Sequence, residues 1–347
     1  MIRFSRAAAA LGALLLAAAC ATTTPAITGD PAVTVTARAE TPPVGTARQD
    51  AADDPAIWRN PANPAASLIV GTDKKGGLYV YDLKGAQKHF VAAPGLNNVD
   101  LIELADGRVL VAASDRSDLA KVQVFLALLD TAAGTLAPAG RITAGPGEGY
   151  GICMIEAPQA GGIIAFSAPK EGTIYRTLIT EAGGVFTGVT TTLAQIPTQT
   201  EGCIADPRTG TLYIGEEDAG IWAIDTATGA KRLVASIDNR ILVADVEGLA
   251  LAPQGADGGY LVASSQGDNA YAVFRLPGIT PVGRFRIAKG AFGSVEETDG
   301  IALDSRDFGP DFAGGLFIAQ DGVNAPRAQN FKYARWDEIL AALGEGR

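Results

Sequence analysis

The chain has 347 residues, 47% hydrophobic and 19% charged, enough apolar material for a sizeable core, which excludes a disordered or fibrous protein. With 28 basic against 38 acidic residues the formal charge is −10, a sign that repels nucleic-acid phosphates and suits cations. A single histidine, His89, excludes multi-histidine zinc sites and every mechanism that needs two imidazoles.

In chain order, Met1 to Arg6 carries two arginines, and an apolar run from Ala7 to Ala19 follows. That is an export signal, too short to span a bilayer as a helix. It ends in Leu16-Ala17-Ala18-Ala19-Cys20, similar to a bacterial lipoprotein cleavage site with Cys20 as the lipid-bearing residue, although Leu16 sits one place further from the cysteine than usual. Cleavage at an Ala-x-Ala site and release into the periplasm is the other reading. Removing residues 1–19 deletes Arg3, Arg6 and no acid, which moves the charge from −10 to about −12. Residues 20–35, rich in Thr, Pro and Ala, read as a flexible tether. A membrane association through this anchor only, or a soluble periplasmic or secreted protein, follows. In an oxidising compartment Cys153 and Cys203 either pair or remain two buried thiols on separate strands.

From residue 36 to 347 a unit recurs: an acidic residue, usually a glycine, a short apolar run, a turn, then a β-branched strand. Glu201-Gly202-Cys203 leads to Leu212-Tyr213-Ile214, Glu247-Gly248-Leu249 to Leu261-Val262-Ala263, and Asp299-Gly300-Ile301 to Leu316-Phe317-Ile318. Looser copies start at Asp54, Asp100 and Glu148. The anchor acids are spaced 46, 48, 53, 46 and 52 residues apart. Six units, each with room for four short strands, predict an all-β, six-bladed β-propeller with four antiparallel strands per blade. The one helical turn expected runs from about Trp336 to Leu343.

Equivalent positions of successive blades face a central channel, so the recurring acids predict a ring of carboxylates at one end. Like charges placed so repel unless cations sit between them, and oxygen donors with so little histidine favour calcium. The plainer reading of each acid–glycine pair is a turn at a repeat boundary. Basic residues form a second set. Lys74 and Lys75, Arg116 and Lys170 follow the second strands of the first three units, a local positive patch beside the acids that suits several phosphates.

Asp53-Asp54-Pro55-Ala56-Ile57-Trp58 followed by Leu96-Asn97-Asn98-Val99-Asp100 resembles the paired signature of the β-propeller phytases. Further matches are Thr200-Glu201-Gly202, Glu216-Glu217-Asp218, Asp245-Val246-Glu247-Gly248, Thr298-Asp299-Gly300 and Gln329-Asn330-Phe331-Lys332, so the likeness runs from about Glu40 to Trp336. The resemblance implies a calcium-dependent phosphomonoesterase that cuts phytate, myo-inositol hexakisphosphate, with a metal-activated water and no phosphoenzyme. It also implies that Glu201, Glu217, Asp245, Glu247 and Asp299 carry the chemistry and, with Glu40, hold cleft calcium. Lys74, Arg116, Tyr150 and Lys170, with Lys75, would contact phosphate. Asp54, Asp100, Asp321 and Asn324 would hold calcium that supports the fold. The loop Gly145-Pro146-Gly147-Glu148-Gly149 departs from the family in having no histidine, and it brings Glu148 close to Tyr150.

Two other functions fit a six-bladed propeller: a calcium-dependent lactonase or other hydrolase, which would not need the cationic patch, and a non-catalytic binding module. The chain reads as a monomer.

Overall fold

Runs such as Leu68-Ile69-Val70 and Leu316-Phe317-Ile318 are apolar on consecutive residues, not on alternate ones, which is the pattern of strands covered on both faces. The computed structural model describes residues 27–345 and arranges these runs in six antiparallel sheets. The signal segment 1–19, Cys20 and the start of the expected tether lie outside the described residues.

Four sheets follow a simple meander. Blade one is Ala52–Trp58, Leu68–Asp73, Gly77–Asp82 and Gln87–Ala92; blade two is Leu96–Glu103, Val109–Asp115, Lys121–Asp130 and Thr135–Pro146. Blade three is Gly151–Ala157, Gly162–Ala168, Thr173–Ala182 and Val185–Gln195; blade four is Thr200–Asp206, Thr211–Glu216, Gly220–Asp225 and Lys231–Ser236. Blade five, Val246–Gln254 through Thr280–Ala288, gains a fifth strand, Val33–Thr36, in parallel register on its outer edge. Blade six has only Ile301–Asp304, Leu316–Asp321 and Asn330–Arg335 of its own, and the short strand Ala39–Glu40 completes it. A strand from before blade one thus closes the ring after blade six. Trp336–Ala342 is the only α-helix among the described residues.

The first strand of each blade packs against the first strands of both neighbours, so the six close on one another around a channel. Each of the six main hydrophobic clusters is shared by two adjacent blades. Val70 and Val80 meet Val111 and Phe125 between blades one and two, while Ile69 and Tyr79 face Ile318 and Phe331 of blade six. The core is therefore a ring of interfaces, and consecutive residues of a middle strand serve opposite ones.

The structure moves the end of the expected tether. Val33–Thr36 pairs with Phe285–Ala288, Gly29 N–H donates to Asp268 Oδ2 at 2.9 Å, and the buried Arg284 donates to the Asp30 carbonyl at 2.8 Å. Residues 29–35 are docked by backbone pairing and a buried guanidinium, neither of which Thr/Pro/Ala composition reveals. Cys153 and Cys203 are joined as a disulfide, Cα–Cα 5.5 Å, between the inner strands of blades three and four.

Candidate active site at the channel mouth

Glu201-Gly202 and Glu247-Gly248 sit inside strands, not in turns, and Asp299-Gly300 leads directly into one. The inner-strand ladders skip at Asp53-Asp54, Asn97-Asn98, Glu201-Gly202 and Glu247-Gly248, four β-bulges at the same place in their blades. A bulge re-aims one side chain, and here the first residue of each pair turns toward the channel mouth. The glycine that follows allows the blades to approach. A Cβ on Gly202 would overlap the Glu247 carbonyl oxygen, one on Gly248 would lie 2.7 Å from that of Asp299, and one on Gly300 would lie 2.6 Å from that of Asp53. The backbone bonds in the same places, Gly248 N–H to Asp299 O at 2.7 Å and Gly300 N–H to Asp53 O at 3.1 Å.

This register corrects three of the anchors. The residue equivalent to Glu201, Glu247 and Asp299 is Asp53 in blade one, not Asp54, and Asn97 in blade two, not Asp100. In blade three Gly151 meets the Glu201 carbonyl as the other glycines meet theirs, so the equivalent is Tyr150, not Glu148. The mouth is lined by Asp53, Asn97, Tyr150, Glu201, Glu247 and Asp299, one from each blade. Asp53 and Asn97 were absent from the expected site because the ring was sought as a set of acids, and the doublet Asp53-Asp54 hides which acid is in register.

Lys74 stands in the middle of this ring. Its Nζ lies 2.8 Å from Asp299 Oδ2, 3.1 Å from Asp53 Oδ1 and 3.0 Å from Asp50 Oδ2, with the lysine side chain only 8% exposed. Burial pulls the ammonium pKa down, but Asp53 and Asp299 outweigh it and hold the group charged. Its present partners are carboxylates, so any phosphate contact is made from within an ion-pair cluster. Asn97 Nδ2 donates to Glu201 Oε1 at 3.0 Å, and Gln266 Nε2 to Asp299 Oδ1 at 2.8 Å.

Glu201, Glu217 and Glu247 each bring a carboxylate oxygen within 4.8 Å of the others. Burial, then the charge of Asp53, pushes Glu201 well above the usual carboxylate range; burial and Glu201 do the same to Glu247. Asp299 is raised to about 7, by burial first, against Lys74 and with Asp53 adding to it. Glu247 Oε2 and both carboxylate oxygens of Asp53 are buried without a hydrogen bond, although Lys74 lies near the latter. Buried carboxylate oxygens without donors, three carboxylates converging on one point and raised pKa values are together what a cation would relieve, so the cluster fits one. Asp245, half-buried, lies outside this trio; burial and Asp218 raise its pKa.

The expected basic patch is partly assembled. The Arg116 guanidinium lies 5.1 Å and the Lys170 ammonium 5.2 Å from the centre of the Tyr150 ring, so one aromatic ring organises both cations. Arg116 Nη1 also donates to Asn97 Oδ1 at 3.0 Å, and Glu148 Oε1 stands 3.5 Å from its Nε. Lys170 adds favourable charge to Glu217. Lys75, next in the chain after Lys74, is exposed.

Five expected ligands sit elsewhere. Asp54 and Asp100 point along the channel and accept backbone N–H groups of the next blade, Val99 at 3.0 Å and Met154 at 2.7 Å. Asp321 and Asn324 gather around the buried Lys332. Glu40 joins that group, not the cleft carboxylates: Arg327 donates to its Oε1 at 2.8 Å and Asn330 to its Oε2 at 3.2 Å. Arg327 and Lys332 were not singled out for this role, because only the closure of blade six brings them to Glu40.

The model of the family described as Phytase matches residues 4–347. The chain is 37% identical over 330 residues to the 3-phytase of Bacillus subtilis (strain 168), covering 90% of this chain and 86% of that one. Among solved structures it matches the soluble aldose sugar dehydrogenase of Escherichia coli with a TM-score of 0.49 and 13% identity, over 81% of this chain and 96% of that one. The chain belongs to the Phytase family.

Proposed function

We propose that the protein is a phosphoric monoester hydrolase that releases inorganic phosphate from phytate. The observation that carries this reading is the juxtaposition, at one mouth of the propeller, of the carboxylates Glu201, Glu217 and Glu247 with the cations Arg116 and Lys170 on Tyr150. A polyphosphate needs both halves: cations for its peripheral phosphates, and a carboxylate-bound metal at the one being cut.

Calcium is the metal proposed, held by Glu201, Glu217 and Glu247 with Asp245 and Asp299 beside them, since carboxylate oxygens with no imidazole select a hard cation. When bound, it neutralises substrate charge and activates water for attack on phosphorus. The chain's own residues do the positioning. Arg116 and Lys170, braced by Tyr150, bind phosphate oxygens, and Asn97 couples Arg116 to Glu201 through its two amide atoms. Lys74 pairs with Asp53 and Asp299 and fixes their carboxylates in place, and Lys75 is free to meet an outer phosphate. A fold-supporting calcium is proposed at Asp54 and Asp100, whose pKa values burial raises, Asp100 to about 6.

A lactonase or a binding propeller would use the carboxylates without the cations. The export signal and Cys20 support a lipid-anchored or soluble exported protein. Phosphate release from phytate by Glu201→Gln and Arg116→Ala tests the assignment. Loss of turnover in the first and a raised KM in the second are expected, whereas two fully active variants would send the chemistry elsewhere.

A further inference from the structure

The ring is closed where Ala39–Glu40 pairs with Asn330–Arg335, Glu40 opposite Lys332. The Lys332 side chain is wholly buried there, and its ammonium is surrounded by oxygens. It is hydrogen-bonded to Asp321 Oδ2, lies 3.1 Å from Asn330 Oδ1 and 3.3 Å from Asn324 Oδ1, and is 3.7 Å from Glu40 Oε2. Arg327 Nη2 bridges Glu40 Oε1 and Asn324 Oδ1 at 2.8 and 3.2 Å. The remaining carboxylate oxygen, Asp321 Oδ1, accepts the N–H groups of Glu296 and Val323 at 3.2 and 3.3 Å.

Glu40, Asn324 and Asp321 are among the residues that the family resemblance gives to calcium. Their surroundings do not fit it. Two acids face two cations, so the group is neutral as it stands, and a divalent ion would enter beside an ammonium and a guanidinium. Every carboxylate oxygen of Glu40 and Asp321 already has a donor, and a buried charge so paired does not readily give up its partner. The contrast with the cleft is direct: Glu247 and Asp53 hold buried oxygens without donors, and no oxygen around Lys332 is in that state.

We infer that Lys332, with Arg327, is the resident cation of the closure site, and that the propeller is fastened there by an internal ion-pair network that takes no metal. Calcium then acts at the channel and its mouth only. Closure is read by calcium content and melting, both independent of phosphate release.

The test is calcium bound per chain, by equilibrium dialysis with calcium chloride, for the full chain and for Glu40→Gln and Asn324→Ala. Both variants are expected to bind as many ions as the parent, and to gain as many degrees in melting temperature from calcium. Glu40→Gln should melt lower than the parent in chelator and in calcium alike, because what it loses is an ion pair. Lys332→Met, if it folds, should bind one ion more. One ion fewer in either Glu40→Gln or Asn324→Ala would overturn the inference, since the removed oxygen would have been a ligand.

Discussion

Replacing Lys74 by Met keeps the length of the side chain and removes the ammonium that three carboxylates share. Asp50 is 67% exposed, so its pair with Lys74 is screened and contributes little. Asp53 is fully buried and Asp299 is 15% exposed, so these two lose a partner that water cannot replace. Breaking a buried pair by removing one member costs about 3–5 kcal/mol. The carboxylates can recover part of this by taking up protons, so about 3 kcal/mol is expected for Lys74→Met in chelator at neutral pH, read from urea unfolding. Two controls sharpen the result. Asp50→Asn should cost under about 1 kcal/mol. Adding Asp299→Asn to Lys74→Met should restore stability, since it removes a charge left without a partner. A loss below about 1 kcal/mol for Lys74→Met, with no coupling to Asp299, would refute the claim that this lysine neutralises the ring.

Three further outcomes follow from the same geometry. Asp299 and Asp100 have folded pKa values raised to about 7 and about 6, above their unfolded values, so the folded state binds the extra protons. In chelator the contribution of these groups is greatest below about pH 4 and is lost as pH rises to 7; calcium should flatten that decline at the mouth, and a chelated protein that gains stability from Asp299 across this range would contradict it. Gly202→Ala should destabilise by about 1–3 kcal/mol or prevent folding, because its Cβ meets the rigid Glu247 carbonyl; full stability in a melting experiment would show that the blades are not in contact there. The disulfide spans 50 residues, and chain entropy sets an upper value of about 4 kcal/mol for its loss. Cys153→Ser with Cys203→Ser should therefore unfold at clearly lower urea, and an unchanged midpoint would mean that the thiols are not joined.

The blade count and strand order were legible because each unit repeats the same apolar runs and turns, and because strands buried on both faces leave unbroken hydrophobic stretches. The carboxylate ring was legible in blades four, five and six, where an acid precedes a glycine that only close backbone approach requires. It was misread in blades one to three: Asp54 and Asn98 hold the glycine position in the first two, in the third Gly151 follows an aromatic and not an acid, and the channel residue is Asp53, Asn97 or Tyr150. Bulges set that register, and a bulge appears in the ladder between strands, not along one of them. The surroundings of Glu40 were hidden for a different reason: its partners Arg327, Asn330 and Lys332 lie some 290 residues away and meet it only when the ring closes. The docking of residues 29–35 depends likewise on Arg284 and Asp268, which sit in another blade.

The most direct measurement is phosphate released from phytate by this protein in calcium and then in chelator, beside a simple phosphate monoester. Release in calcium, its loss in chelator and a strong preference for phytate are expected if carboxylate-held metal and the Arg116–Lys170 pair act on one substrate. Absence of release at every calcium concentration would contradict the assigned function, and release unaffected by chelator would contradict the role given to Glu201, Glu217 and Glu247.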